Sequence, residues 1–163
     1  MNSEVDQVLL RRLKSDPPQT VLIVAPQLSP VLLEFSKQTE NLQMTHVAFE
    51  NLEKSTNQLE RFGFAAVVES TFEQLTNHTA QQLVARLRDL HAKLLWVAVS
   101  DGPHSVFCSK DAMAQGMRMV DPTKFGSKDA KWFEFSLKFY KPVPKWLNAR
   151  DWANPDRWDK DRW

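Results

Sequence analysis

Residues 20–25 read Thr-Val-Leu-Ile-Val-Ala, and this stretch decides the fold. An unbroken run of β-branched and apolar residues predicts a strand that is buried on both faces, as in a parallel sheet. Residues 65–68 (AAVV) and 94–99 (LLWVAV) repeat the pattern, and 44–49 (MTHVAF) provides a further candidate strand. The chain is therefore expected to contain a largely parallel sheet.

Helical patterns separate these strands. Apolar residues recur at helical spacing in residues 4–14, and Ser29-Pro30 has the composition of a helix start. Ser70 and Glu73 have capping-box spacing ahead of an apolar stripe that ends at Leu90. This alternation predicts a three-layer α/β/α, doubly wound fold with a mostly parallel sheet of six or seven strands. Residues 131–140 alternate apolar and polar side chains and predict a late antiparallel strand.

Composition narrows the function. The chain has 163 residues, 42% hydrophobic residues and a net charge of +1, and a nonspecific nucleic-acid binder would carry a strong basic excess. The single cysteine, Cys108, precludes an internal disulfide and fits a reducing compartment. No signal-peptide pattern and no apolar run of membrane-spanning length appears, so we expect a cytoplasmic protein of bacterial type without membrane association.

The last residues differ from the rest in composition. We predict a Rossmann-like domain over residues 1–141 and a Trp/Arg/Asp-rich extension over 142–163. The extension is expected to pack on its own domain; a protein partner or self-association is the second interpretation, and nucleic acid the third, because four aspartates offset the basic residues. The tryptophans that would make these contacts are Trp146, Trp152, Trp158 and Trp163.

The order of segments resembles a class I S-adenosylmethionine-dependent methyltransferase domain. The resemblance rests on VLIVA (21–25), VAFE (47–50), the strand–helix–strand run 64–99, and MAQGMRMVDP (113–122) followed by KWFEFSLKFY (131–140). It implies that Glu50 stands where such enzymes hold the ribose hydroxyls. The tail, YKPVPKWLNARDWANPDRWDKDRW, also resembles the end of an uncharacterised bacterial family, which implies no activity.

The turn after the first strand departs from the methyltransferase pattern. It reads Ala25-Pro-Gln-Leu-Ser-Pro30 and contains no glycine, and its two prolines remove two backbone donors. We therefore expect no cofactor, with S-adenosylmethionine disfavoured. The first functional hypothesis is a methyltransferase-like domain that acts as a non-catalytic binding or scaffolding protein. The alternative is an active, divergent methyltransferase with an altered pocket.

Residues 100–108 offer catalytic candidates because a loop at the end of a parallel strand is a common ligand site. Asp101, His104 and Cys108 lie within eight residues, and a Cys/His pair would activate the thiol. The competing interpretation, which we favour, is a Gly-Pro turn beside a cysteine that packs as a small hydrophobe.

Three acids follow predicted strands. Glu50, Glu69 and Asp101 would share one edge of a parallel sheet, where they could bind a ribose, a metal or a cation, or simply face water. Glu50 and Glu69 are the cofactor-binding candidates. The four histidines have no i, i+4 pair and there is no second cysteine, so we expect no metal site.

Overall fold

Six strands form one sheet in the computed structural model of the chain, which describes residues 3–48, 60–125, 130–140 and 160. The strands are β1 (Thr20–Val24), β2 (Gln43–Val47), β3 (Phe62–Val67), β4 (Ala92–Val99), β5 (Arg118–Met119) and β6 (Lys131–Phe135). Their order across the sheet is β2-β1-β3-β4-β6-β5. The first four strands in this order pair in parallel, whereas β6 pairs antiparallel with both β4 and β5. The predicted mostly parallel sheet with an antiparallel late strand is confirmed.

Helices cover both faces of this sheet. They are α1 (Ser3–Ser15), α2 (Pro30–Gln38), α3 (Asn77–Arg86), α4 (Ser109–Ala114), α5 (Pro122–Phe125) and α6 (Leu137–Tyr140). A 3-10 helix (Glu69–Gln74) precedes α3, and a π-helical turn (Leu87–His91) joins α3 to β4. The predicted three-layer arrangement follows from the two apolar clusters that this placement creates.

The two clusters lie on opposite faces of the sheet. Residues of α1 and α2 pack with Val21 and Ile23 of β1, whereas residues of α3 and α4 pack with Leu22 and Val24. Successive side chains of a strand point to opposite faces, so a strand with helices on both sides needs apolar residues at every position. This requirement explains why the sequence of β1 does not alternate.

Strand order reverses between β1 and β3. From β1 the chain crosses to β2 on one side, and β3 then pairs with the other side of β1. In open α/β sheets such a reversal leaves a crevice at the carboxyl ends of the two strands, where ligands bind. The carbonyl of Val24 accepts hydrogen bonds there from the Val68 amide (3.1 Å) and from the Thr71 hydroxyl (3.0 Å).

Two local predictions were wrong. Ser70 and Glu73 lie within the 3-10 helix, and α3 begins later, with Thr76 as its N-cap accepting from the Thr79 amide. The strand predicted over 131–140 ends at Phe135, because the carbonyl of Ser136 accepts the amides of Phe139 and Tyr140 and starts α6.

The described residues contain no helix that is both long and apolar enough to span a bilayer. The predicted extension 142–163 lies outside the described residues except for Lys160, and so do Trp146, Trp152, Trp158 and Trp163. The boundary at residue 141 and the packing of the tail therefore stay predictions.

Candidate functional site

A cavity of about 340 Å³ lies at the carboxyl ends of β3 and β4. Glu69, Phe72 and Glu73 of the 3-10 helix line one side, and residues 100 and 102–107 of the loop after β4 line the other. The volume falls within the range of small-molecule sites. On the side of the strand-order reversal, Glu69 directly follows the β3 segment that bonds to the end of β1, although no described residue of β1 or of the turn after it lines the cavity.

Hydrogen bonds to Ser105 fold the loop back on itself. The Ser105 hydroxyl donates to the carbonyl of Ser100 and to that of Phe107 (3.1 Å), while the Ser105 amide donates to the carbonyl of Gly102 (3.0 Å). Phe107 is buried and its ring stacks on that of Phe72, with centroids 4.9 Å apart and an interplanar angle of 22°. The loop wall is thus fixed to the core beneath the cavity.

Asp101 anchors this loop from outside the cavity. Its carboxylate accepts hydrogen bonds from Lys131 Nζ (2.6 Å), from the Ser109 amide (2.9 Å) and from the Ser109 hydroxyl (2.8 Å). The Lys131 bond, supported by the two Ser109 bonds, lowers the pKa of Asp101 to about 2. Asp101 is therefore ionised and holds the first residues of α4 against the start of β6, which is a positioning role.

Cys108 is the N-cap of α4. Its thiol donates to Asp111 Oδ2 (3.2 Å) and its amide donates to the same oxygen (3.0 Å). The bond from the amide is one of the two bonds of a capping box. No hydrogen bond joins Cys108 to His104 among the described residues. The structure thus does not form the hypothesised Cys/His pair, and Cys108 is half-buried at a helix start, unlike the core cysteine of the alternative interpretation.

His104, Glu69 and Glu73 contribute the titratable side chains of the cavity. His104 and Glu73 are exposed and Glu69 is half-buried. None of the three forms a hydrogen bond or ion pair with another described residue. Within the part of the chain that the structure describes, all three are therefore available to a ligand.

The turn after β1 achieves its path without glycine. None of residues 25–30 has a positive φ; in the described chain only Asn41 and Gly116 do. Leu28 packs against the apolar cluster on the α1 side of the sheet, so its side chain is held by the core. Nε2 of the half-buried His46 donates to the carbonyl of Ala25 (2.8 Å), which fixes the start of the turn.

Sequence reasoning located part of this site. It placed Glu69 and Asp101 at one sheet edge, and the structure confirms that edge, although only Glu69 lines the cavity. Glu50 lies outside the described residues. Glu73, Phe72 and Phe107 were missed as cavity residues, because their place depends on the path of a 3-10 helix and an irregular loop. The described residues bring together no group of three or more His, Cys, Asp or Glu side chains able to hold a metal.

The chain belongs to a family of unknown function, DUF6231, which matches residues 3–163. No protein of curated function matches it. Its fold is similar to crystal structures of magnesium protoporphyrin IX methyltransferase from Synechocystis PCC 6803. For the structure with bound SAM the TM-score is 0.50, and the match covers 81% of this chain and 76% of that chain. For the structure with bound SAH the TM-score is 0.52, and the match covers 81% of this chain and 82% of that chain. The sequence identity is 10% in both comparisons.

These neighbours confirm the methyltransferase-like fold and correct one expectation. We expected no cofactor, but proteins of this fold hold S-adenosylmethionine and its product in the similar structures. The physical error was to treat glycine as required in the turn after β1. Glycine matters where φ is positive, and no residue of this turn has a positive φ. Leu28 of the same turn is partly buried against the apolar cluster on the α1 side of the sheet.

Proposed function

We propose that this chain binds S-adenosylmethionine at the carboxyl edge of its sheet and transfers the methyl group to a small acceptor. The observation that carries the proposal is the cavity beside the β1/β3 reversal, in a sheet whose strand order and antiparallel β6 accompany a methyltransferase-like fold. Ligands of doubly wound sheets bind at that reversal. The bound cofactor would supply an activated methyl group on a sulfonium.

The turn after β1 supplies the groups that would hold the cofactor. Pro26 and Pro30 lack an N–H, so Gln27, Leu28 and Ser29 carry the backbone donors available to a ligand carboxylate. Gln27 is exposed, and the turn is fixed at its start by the His46 bond to Ala25. Glu50 remains the predicted partner of the ribose hydroxyls.

The loop after β4 supplies the group that would act on the acceptor. His104 lines the cavity, is exposed and has no described partner, so its imidazole can take a proton from a bound acceptor. Asp101 and Cys108 do not line the cavity. They hold the first turn of α4, which follows the loop, through the bond from the Ser109 amide to Asp101 and the bond from the Cys108 amide to Asp111. Of the sequence candidates, His104 is therefore the one we assign to chemistry.

Isothermal titration of the full chain with S-adenosylmethionine and S-adenosylhomocysteine tests the binding. We expect saturable binding that Gln27→Trp abolishes by covering the turn, whereas Gln38→Trp, an equal change at an exposed position at the end of α2, leaves it intact. A ligand at a hundred times its dissociation constant should also raise the free energy of unfolding by about 2.7 kcal/mol. Absence of heat and of thermal stabilisation with both ligands would refute the proposal.

A binding or scaffolding protein without methyl transfer is the second candidate. Two of the three catalytic candidates of the loop favour it, because their side chains are already hydrogen-bonded. Asp101 accepts from Lys131 and Ser109, and the Cys108 thiol donates to Asp111. His104 is then the one candidate of that loop without a described partner. The two functions separate on His104→Ala. If the wild type transfers labelled methyl groups to a mixture of small metabolites and the variant does not, the chain is an enzyme; cofactor binding with no transfer by the wild type favours the scaffold.

A further inference from the structure

We propose that the cavity after β3 and β4 binds an organic cation, an ammonium group carried on an apolar or aromatic body. Among the described residues, Glu69 and Glu73 are its only acidic lining residues and no Lys or Arg lines it. Beside the imidazole of His104, the described lining therefore offers two carboxylate side chains. A pocket so lined attracts cations and disfavours anions.

No described cation neutralises these two carboxylates. Neither Glu69 nor Glu73 belongs to an ion pair among the described residues, where the pairs are Arg12–Asp16, Arg88–Asp89, Arg118–Glu134 and Lys131–Asp101. Lys131, at the loop's far side, is already held by Asp101 at 2.6 Å. A ligand ammonium would therefore provide the positive charge that the described residues do not supply.

The apolar floor selects the rest of the ligand. Phe72 and Phe107 both line the cavity, and their stacked rings are almost completely buried, so the floor is rigid. Carboxylates at the rim and aromatic carbon beneath them match a molecule with a charged amine at one end and an apolar body at the other.

This inference depends on the proposed function only for the ligand's role. As methyl acceptor, the ammonium would first give a proton to His104, and the free amine would then take the methyl group from the sulfonium, leaving S-adenosylhomocysteine. Binding of the cation itself requires no cofactor. The two proposals can therefore fail separately, provided that cation binding is measured without S-adenosylmethionine.

The test is an NMR titration of the ¹⁵N-labelled full chain with three probes of similar shape: benzylammonium, benzyl alcohol and benzoate. We expect benzylammonium to shift the amides of Gly102, Ser105 and Val106, with benzyl alcohol binding more weakly and benzoate not at all. In Glu69→Gln/Glu73→Gln, benzylammonium affinity should fall about tenfold, because two partly exposed carboxylates are lost. Added salt should weaken the wild-type affinity.

Glu40→Gln is the matched control, since it removes one exposed acid from the segment between α2 and β2, away from the cavity. It should bind benzylammonium as the wild type does. Glu69 and Glu73 have no described partners to lose, so melting temperatures should agree within about 2 °C. Equal affinity for benzylammonium and benzyl alcohol, unchanged affinity in the double variant, or shifts confined to other parts of the chain would each overturn the inference. Benzylammonium binding without cofactor binding would retain it and reject the proposed methyltransferase.

Discussion

Asp6 of α1 is the one acidic side chain that is buried among the described residues, at 7% exposure. Burial raises the pKa of its carboxyl group, and the neighbouring Ser29 hydroxyl opposes the shift without cancelling it. Asp6 Oδ1 and Ser29 Oγ are both buried without a hydrogen-bond partner in the described chain. An ionised carboxylate in this position destabilises the folded state, since its desolvation is incompletely compensated.

Replacing Asp6 with asparagine should therefore stabilise the protein at neutral pH by about 1 kcal/mol. Because the folded-state pKa is raised, the stabilising contribution of the wild-type group is present at low pH and is lost as pH rises through the folded pKa. The advantage of Asp6→Asn should accordingly shrink on acidification to about pH 4.5. Urea unfolding at both pH values measures it, with Glu40→Gln as the control. A less stable variant at neutral pH would mean that a cation compensates Asp6.

Asp101 has the opposite pH dependence. Its pKa is lowered to about 2 by Lys131 and Ser109, so its contribution is present above the unfolded value and is lost as pH falls toward the folded one. Asp101→Asn should cost about 1 kcal/mol or less at neutral pH, because a carboxylate that is 36% exposed is screened by solvent. Its difference from the wild type should vanish between about pH 4 and pH 2. A constant difference over that range, measured by chemical denaturation, would show that the Lys131 ion pair contributes nothing.

At the level of single elements, the local sequence predicts a helix or strand whose residue pattern repeats along the segment. Strands β1, β3 and β4 were identified because both faces of each are covered, which makes apolar runs unavoidable. The 3-10 helix at 69–74 was mistaken for a helix start because Ser70 and Glu73 have the spacing of a capping box. Its geometry instead follows the bond from Thr71 to Val24, a contact between residues 47 positions apart.

The site depends even more on distant contacts. The loop wall is held by Asp101 and Lys131, which are separated by 30 positions, and α4 is tied to α3 through the Gln81 bond to Asp111. The hydrophobic periodicity of the sequence does not indicate bonds between side chains so far apart. The sequence could therefore locate the sheet edge and Glu69 but not the cavity, and it could not reveal that the turn at 25–30 avoids positive φ.

The end of α4 yields a further prediction. Gly116 follows the helix with φ of +76°, and its amide donates to the carbonyl of Met113 (2.9 Å). A Cβ added there would lie 2.8 Å from Cε2 of Tyr140. Gly116→Ala should therefore destabilise the protein by about 1–3 kcal/mol, from backbone strain together with the contact to α6.

Gly102→Ala provides the matched comparison, because its φ is not positive and the nearest atom to an added Cβ is Ser100 Oγ at 3.6 Å. That variant should unfold at nearly the wild-type urea concentration. If the two variants lose similar stability, the positive φ and the Tyr140 contact do not explain the glycine at 116.

At the scale of the whole molecule, one sheet separates two apolar clusters that share no side chains. Val8 of α1 belongs to one cluster and Val84 of α3 to the other, and each is at most 1% exposed. Truncating either to alanine removes buried methyl groups and should cost about 2 kcal/mol. Because the sheet lies between them, the two losses should add within about 0.5 kcal/mol in the double variant.

The same experiment shows whether the two layers unfold together. β1, β3 and β4 contribute to both clusters, so loss of either cluster exposes strands that the other one needs. Each variant should then shift one common urea transition, followed by circular dichroism and by tryptophan fluorescence, to which the buried Trp96 contributes. Two separate transitions, with Val8→Ala moving one and Val84→Ala the other, would contradict a single cooperative unit. In that case the cavity, whose walls come from the α3 side, could lose its shape while the α1 side remained folded.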